Sequence, residues 1–254
     1  MQPSRIDRIR TLLRGIETGD PESGSVVSPS QYIQHNPQTH IGREGLAALF
    51  ARRATPSPRV NLVRAFADGD FVFGQTEYDF ATRRIGFEVF RFEGEFAVEH
   101  WDNIQPRMGP NPSGHSMVDG PTVATDLHLT ESTRALVLAF VQQVRVNSQV
   151  SGLEAYVSAD QYVEHSPDGA DGLAALRGRI QDDTSGPHRV VYRRVHRVLA
   201  QGNFALAVSE GSRGSVHTAF YDLYRVEAGK LVEHWDTVES VAPPEDWKHE
   251  NGKF

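Results

Sequence analysis

FRFEGEFAVEHWD, residues 90–102, returns as YRVEAGKLVEHWD at residues 224–236, without a gap and with seven of thirteen positions identical. The likeness extends in both directions. Tyr32-Ile33-Gln34-His35 is answered by Tyr162-Val163-Glu164-His165, Gly45-Leu46-Ala47-Ala48-Leu49 by Gly172-Leu173-Ala174-Ala175-Leu176, and Asp68-Gly69-Asp70-Phe71 by Gln201-Gly202-Asn203-Phe204, at offsets of 130, 127 and 133. Loop insertions and deletions account for the drift, and a unit of about 130 residues has the size of a domain rather than of a solenoid repeat. The 254 residues therefore read as two homologous domains. The Pro- and Gly-rich stretch from Pro106 to Pro121 suits neither a helix nor a central strand, and the break is placed near residue 124, giving domains 1–124 and 125–254.

Each half shows the same order of elements. Ile6, Ile9, Leu12, Leu13 and Ile16 recur at helical spacing until Gly19-Asp20-Pro21 stops the run, and Leu136, Phe140 and Val144 repeat the pattern after Thr130, a candidate N-cap. A short helix is expected over Gly45–Arg53 and again over Gly172–Ile180. Strands rich in β-branched and aromatic residues follow: Val60–Phe66, Phe71–Tyr78, Arg84–Phe92 and Phe96–Ile104, then Val190–Leu199, Phe204–Glu210, Val216–Val226 and Leu231–Val238. Asp68-Gly69 and Glu93-Gly94 supply hairpin turns. Helices first and an antiparallel meander afterwards predict an α+β class for both halves.

Composition narrows the function. With 39% apolar and 23% charged residues and no long apolar run, the chain is expected to be a globular protein without membrane spans. The formal charge of -7 opposes general attraction to nucleic acid or anionic lipid. The basic stretch His188–Arg197 divides between two strand faces and reads as a solvated or interdomain surface. The absence of cysteine removes disulfides, thiolate catalysis and cysteine-ligated metals. The N-terminal stretch lacks the apolar core of a secretory signal and reads as a surface helix, which makes cytoplasmic residence the default expectation. Neither nucleotide-binding glycine motifs nor a nucleophile elbow is present, and the histidines show no metal-ligand spacing, His35 with His40 being an isolated pair. No cofactor and no metal are expected.

The pattern resembles the SnoaL-like branch of the NTF2-like superfamily. The residues that carry the resemblance are Tyr32-Ile33-Gln34-His35-Asn36-Pro37 followed by Gly45-Leu46, then Asp68-Gly69-Asp70, then Phe90-Arg91-Phe92 running into Val98-Glu99-His100-Trp101-Asp102, and the ending Asn251-Gly252-Lys253-Phe254. It covers nearly all of both halves and implies two tandem cones, each a bent antiparallel sheet packed with helices around a ligand pocket. Proteins of this superfamily include polyketide cyclases, steroid isomerases, dehydratases, epoxide hydrolases and modules that only bind or scaffold, so the resemblance implies a pocket and leaves the substrate open.

Strand alternation puts His100 and Asp102 on one face with Val98 and Ile104, and Glu99, Trp101 and Asn103 on the other; Val232, His234, Asp236 and Val238 share a face in the second half. A bulge would break this parity. An apolar face set with two polar groups is where a carboxylate of raised pKa arises, so Asp102 and Asp236 are the acid/base candidates, with His100 and His234 beside them. The resemblance places Tyr32 and His35, and Tyr162 and His165, at the pocket mouth, the tyrosines contributing a phenol or packing and the histidines acting on a ligand or bonding backbone. Trp101 and Trp235 read as packing residues or as a platform for ligand stacking, and Glu99 and Glu233 as members of a solvated face. Many SnoaL-like sequences place a histidine in the middle strand, where this chain has Gln75 and Val208; Gln75 could orient a carbonyl, whereas Val208 would make the second pocket more apolar. Glu77 and Glu210 are further carboxylates at matching positions.

The preferred expectation is a cofactor-independent enzyme that abstracts a proton from a small, carbonyl-bearing, largely apolar molecule, as in aldol cyclisation or isomerisation, with Asp102 as base and His35 or His100 as donor. The first domain is the better candidate. The alternatives are a ligand-binding or assembly module, and an epoxide hydrolase or dehydratase. As partners, the reading expects a small-molecule ligand, no nucleic acid, no membrane, and an intramolecular pseudo-dimer of the two halves with homodimerisation left open.

Overall fold

The computed structural model describes residues 3–42, 45, 59–79, 82–183, 186 and 189–254. Helix α1, Arg5–Thr18, starts at Ser4, whose hydroxyl accepts from the Asp7 N–H while Asp7 answers the Ser4 N–H, and ends on left-handed Gly19. Its apolar stripe buries Ile9, Leu12 and Leu13. Four long strands follow a two-residue β1, Ile33–Gln34: β2, Arg59–Asp68; β3, Phe71–Asp79; β4, Arg83–Glu93; and β5, Phe96–Pro106. Gly69 and Gly94, at φ of 56° and 57°, begin two-residue hairpin loops that other side chains would strain. The second half repeats the order with α2, Thr130–Phe140; β6, Val163–Glu164; α3, Leu173–Asp183; β7, Val190–Gln201; β8, Phe204–Arg213; β9, Val216–Glu227; and β10, Lys230–Ser240.

The sheet orders are β1-β5-β4-β3-β2 and β6-β10-β9-β8-β7. The four long strands of each form the expected antiparallel meander. The Tyr-x-x-His segments add a correction: β1 and β6 run parallel to β5 and β10, so each sheet is mixed. Both units are thus α+β, a bent five-stranded mixed sheet packed with a few helices, arranged in tandem as two cone-like domains. Bulges in β2 and β7 and at the start of β5 and β10 provide bending points. Thr130 is not the N-cap of α2; a 3₁₀ turn at Leu127–Leu129 leads into the helix, and the Thr130 hydroxyl donates to the Leu127 carbonyl at 2.7 Å. After Phe140 the helix continues as a π-helical turn, Val141–Val146. The helix expected at Gly45–Arg53 lies outside the described residues apart from Gly45.

By contacts the chain forms two units, Met1–Pro106 with Ala242–Phe254, and Arg107–Val241. The packed units therefore differ from the sequence repeats divided at 124. The segment after β5 packs in the second unit, where the Asn111 amide donates to the Glu164 carbonyl, the Trp235 indole to the Asp119 carbonyl at 2.9 Å, and the Thr125 N–H to Asn203 Oδ1 at 2.9 Å. The segment after β10 packs in the first, where the Asn251 amide donates to the Gln34 carbonyl at 3.0 Å and the Lys248 N–H to the Pro37 carbonyl at 2.9 Å. Each sheet is closed by the segment that follows the other. Among the described residues no helix is long and apolar enough to cross a membrane.

Candidate functional site

In the first unit Glu88 stands opposite Asp102 and Phe90 opposite His100 across β4 and β5. The β5 bulge falls at Val98, so the expected shared face holds for His100, Asp102 and Ile104 but Val98, the bulged residue, does not join them in the cavity lining. Glu88, Phe90, His100, Asp102 and Ile104 line a cavity of about 170 Å³. Leu12, Leu13 and Ile16 of α1 form its apolar wall; Tyr32, Gln34, Asn36 and Thr39 come from the β1 segment, Tyr78 from β3 and Arg84 from β4. A void of this size matches one small ring, since an engineered 150 Å³ cavity holds benzene.

The polar groups in this wall are mutually fixed. His100 is stacked between Phe90, with centroids 4.3 Å apart, and Tyr32, at 6.4 Å. Its Nδ1 lies 3.1 Å from Gln34 Oε1, which also accepts from the Asn36 N–H at 2.9 Å, so Nδ1 must carry the donating proton. Nε2 lies 2.8 Å from Glu88 Oε2. Glu88 accepts from Tyr78 Oη at 2.7 Å. Asp102 Oδ2 accepts from Asn36 Nδ2 at 2.7 Å, and Lys253 Nζ donates to the Asp102 carbonyl at 2.7 Å and lies 3.4 Å from its Oδ1.

Tyr32 differs from the rest. It is buried in the wall, yet among the described residues its hydroxyl has no hydrogen-bond partner. Burial, and then the charges of Glu88 and Asp102, push its pKa well up, so the phenol stays protonated as a donor. Tyr78 is held protonated by burial and by Glu88.

The second unit brings together Asp222, His234 and Asp236 at the matching places, with Asp236 opposite Asp222. Arginines enter here. Arg179 of α3 lies 3.6 Å from both Glu164 and Asp236, and Arg145 of the π-helical turn donates to Tyr192 Oη at 3.1 Å with its guanidinium over that ring. Tyr192 in turn contacts Asp222, and Tyr162 Oη donates to Glu164 at 3.1 Å. Burial works against the charges of Arg145 and Arg179, but Tyr192 and Asp222 around the one, and Glu164 and Asp236 around the other, outweigh it and raise both pKa values. Burial likewise opposes the His234 charge, yet Glu164 and Asp222 raise its pKa to about 10; Glu164, pushed up by burial, is brought down to about 2 by His234 and Arg179. Asp236 is raised by burial. A void of about 10 Å³ lies beside Arg145, between Val144, Ile180, Asp183 and Tyr192.

Several sequence expectations move. His35 and Trp101 are outside the cavity lining, on the opposite sheet face: they stack 4.6 Å apart, and the two ring nitrogens of His35 meet Glu99 Oε1 at 2.8 Å and the Gly252 carbonyl at 3.1 Å. His165 and Trp235 repeat this at 4.7 Å, with Glu233 and the Ser116 carbonyl as partners. Glu99 and Glu233 are consequently bound groups rather than members of a solvated face. Burial pushes the Glu99 carboxyl up, and the hydrogen bonds from His35 and Arg91 more than offset it. Gln75 pairs across the strands with Phe87, not with the cavity side, and bonds to Arg64. Val208 faces away from Asp222, so the second interior is charged rather than more apolar. Glu77 bonds Asn61, and Glu210 lies between His196 and His217, away from both clusters.

Tyr32, His100 and Asp102 meet as the sequence suggested; Glu88, Tyr78 and Lys253 were missed. The signal for Glu88 was present: Phe87-Glu88-Val89-Phe90 and Tyr221-Asp222-Leu223-Tyr224 each hold an acid at one position of an apolar strand. Among the described residues, Glu88-His100-Asp102 and Asp222-His234-Asp236 could each offer three ligand atoms to a metal ion, within 4.8 Å of one another. Histidine spacing did not reveal them because they assemble across strands.

Comparison with known proteins follows this geometry. No protein-family model matches the sequence, and no curated protein matches it. Similar solved structures include a SnoaL-like polyketide cyclase from Agrobacterium tumefaciens str. C58, 13% identical over 42% of this chain and 91% of that one, with a TM-score of 0.36. An LEH-like epoxide hydrolase from M. tuberculosis is 19% identical over 43% and 84%, with a TM-score of 0.35. A protein of ketosteroid isomerase-like fold from Catenulispora acidiphila DSM 44928, in complex with trimethylamine, is 19% identical over 37% and 82%, with a TM-score of 0.33.

Proposed function

We propose that the first unit binds a small, largely apolar carbonyl compound and abstracts a carbon-bound proton from it without a cofactor. The observation that carries this reading is the Tyr32 hydroxyl, a protonated donor without a hydrogen-bond partner among the described residues, in a cavity that also holds the Asp102 carboxylate. A substrate carbonyl bonded to Tyr32 would place its α-hydrogen against Asp102, the base; Tyr32 stabilises the enolate oxygen, and the His100–Glu88 pair can deliver or receive a proton at the far carbon. Double-bond isomerisation uses this sequence of transfers; aldol cyclisation shares the deprotonation and the enolate, after which the enolate carbon bonds to an acceptor carbonyl carbon whose C=O π bond opens, and the pair gives its proton to the resulting alkoxide oxygen.

The test is solvent exchange of the α-hydrogens of 2-cyclohexen-1-one in D₂O, followed by NMR. The wild type should accelerate exchange, and Asp102→Asn should remove about 10²- to 10⁴-fold of that rate. A wild-type rate equal to buffer overturns the reading.

For the second unit, the half-buried arginines Arg145 and Arg179 favour the other reading, a non-catalytic module. The proposal includes its pairing with the first unit as an intramolecular pseudo-dimer, which small-angle scattering of the whole chain would test, together with homodimerisation. It also includes cytoplasmic residence, which cell fractionation would test.

A further inference from the structure

Lys253 is a buried lysine whose ammonium lies against Asp102, yet it is not part of the cavity wall. Its place can be matched in the second unit through the histidine clamps: His35 meets the Gly252 carbonyl as His165 meets the Ser116 carbonyl, which sets Lys253 opposite Met117. Both side chains are buried, at 3% and 2% exposure. One tail thus carries an ammonium where the other carries a thioether. The second unit balances Asp236 differently, through Arg179.

We propose that Lys253 is the positioning residue of Asp102: it holds the carboxylate from outside the cavity, so that the charge is balanced while the space beside Asp102 stays open to a ligand. This rests on the acid–base reading of the first unit. The same tail fixes the other supports of the site. The Asn251 amide donates to the Gln34 carbonyl, and His249 Nε2 lies 2.8 Å from the Asn36 carbonyl; Gln34 and Asn36 are the side chains that hold His100 and Asp102. Because residues 242–254 follow the second sheet in the chain, the first unit's site is completed only once the second has been made.

The substitution Lys253→Met introduces the residue type of the second unit's counterpart and replaces the ammonium-bearing end of the side chain with a thioether. In the exchange assay with 2-cyclohexen-1-one it should lower kcat roughly ten- to a hundred-fold with KM little changed, as expected for a misplaced base, and Lys253→Arg should restore most of the rate. A folded Lys253→Met protein with wild-type kcat overturns the proposal. A second measurement is independent of turnover: in ¹⁵N-labelled protein the protected Lys253 Nζ resonance should be visible and should shift in Asp102→Asn. If that resonance is absent, or unmoved by Asp102→Asn, the proposal is overturned even if Lys253→Met does not fold. Wild-type inactivity with an intact, Asp102-sensitive resonance instead overturns the acid–base reading while the contact between Lys253 and Asp102 stands.

Discussion

Glu88, His100 and Asp102 in the first unit and Asp222, His234 and Asp236 in the second occupy matching positions on matching strands, and they meet opposite surroundings. The first triad faces a cavity bounded by the leucines and isoleucine of α1 and by a phenol without a hydrogen-bond partner among the described residues, while a lysine from the tail reaches Asp102 from outside that wall. The second faces Arg145, Arg179 and a Tyr162 hydroxyl already bonded to Glu164. Buried charge must be compensated, and the two units supply the compensation from different sides. In the second unit the cations Arg145 and Arg179 reach the acids from the helices; in the first, Lys253 reaches Asp102 from the tail and a cavity lies beside the carboxylate. The duplicated sheet preserved the acids, and helix and tail residues decided what each could do.

The largest effect that separates the units is on turnover. Asp102→Asn should reduce α-proton exchange by about 10²- to 10⁴-fold, whereas Asp236→Asn should leave it within about two-fold, since Asp102 lines the cavity and Asp236 lies against Arg179. Equal losses in both variants would break the comparison. Next comes stability. Arg179→Met leaves Glu164 and Asp236 buried without that guanidinium and should cost about 3–5 kcal/mol in urea unfolding, the usual penalty for stripping one partner from a buried ion pair. It should not lower the exchange rate of folded protein.

The second unit should also carry a pH dependence of stability. His234 titrates higher in the folded state, about 10 against 6.5, so its contribution is complete below pH 6.5 and is lost as pH rises through 10. Glu164 titrates lower, about 2 against 4.5, so its contribution is complete above pH 4.5 and is lost as pH falls through 2. Unfolding free energy should therefore be highest between about pH 4.5 and 6.5 and decline above that at up to about 1.4 kcal/mol per pH unit. His234→Gln should flatten the alkaline limb. An unchanged slope in that variant would show that the charge network is not what holds the second interior together.

How much of this the residues announced depends on whether a contact is local or built across strands. The repeated Glu-His-Trp-Asp, the glycines of the hairpins and the period of α1 each reflect constraints within a few residues, and the helix, the meander and the shared face of His100 and Asp102 followed from them. Gln75 was misplaced because position in a middle strand says nothing about which face it takes until the pairing with Phe87 is known. His35 and Trp101 were drawn toward the pocket by their neighbours in sequence, although alternation had already put Trp101 on the other face; their stacking with each other and the Gly252 carbonyl needs a segment 217 residues away. Lys253 was invisible as a site residue for the same reason. Arg145 and Arg179 come from helices whose inward face was read only for its apolar positions.

The smallest contrast concerns the paired tyrosines, and it separates binding from folding most directly. Tyr162→Phe removes the donor that serves buried Glu164 and should cost about 1–3 kcal/mol, because the carboxylate is left with one partner fewer. Tyr32→Phe removes a hydroxyl that serves no protein group among the described residues, so stability should be unchanged or slightly raised. The same variant should lose about 10²-fold in exchange of 2-cyclohexen-1-one, the usual loss when one donor to a developing oxyanion is deleted. Chemical denaturation and exchange rates measured on both variants give four numbers, and the expected pattern is crossed: stability falls in one unit, turnover in the other. If Tyr32→Phe instead destabilised the protein and spared the rate, its hydroxyl would be a structural group, and the cavity of the first unit would lose the feature that distinguishes it from the arginine-lined interior of the second.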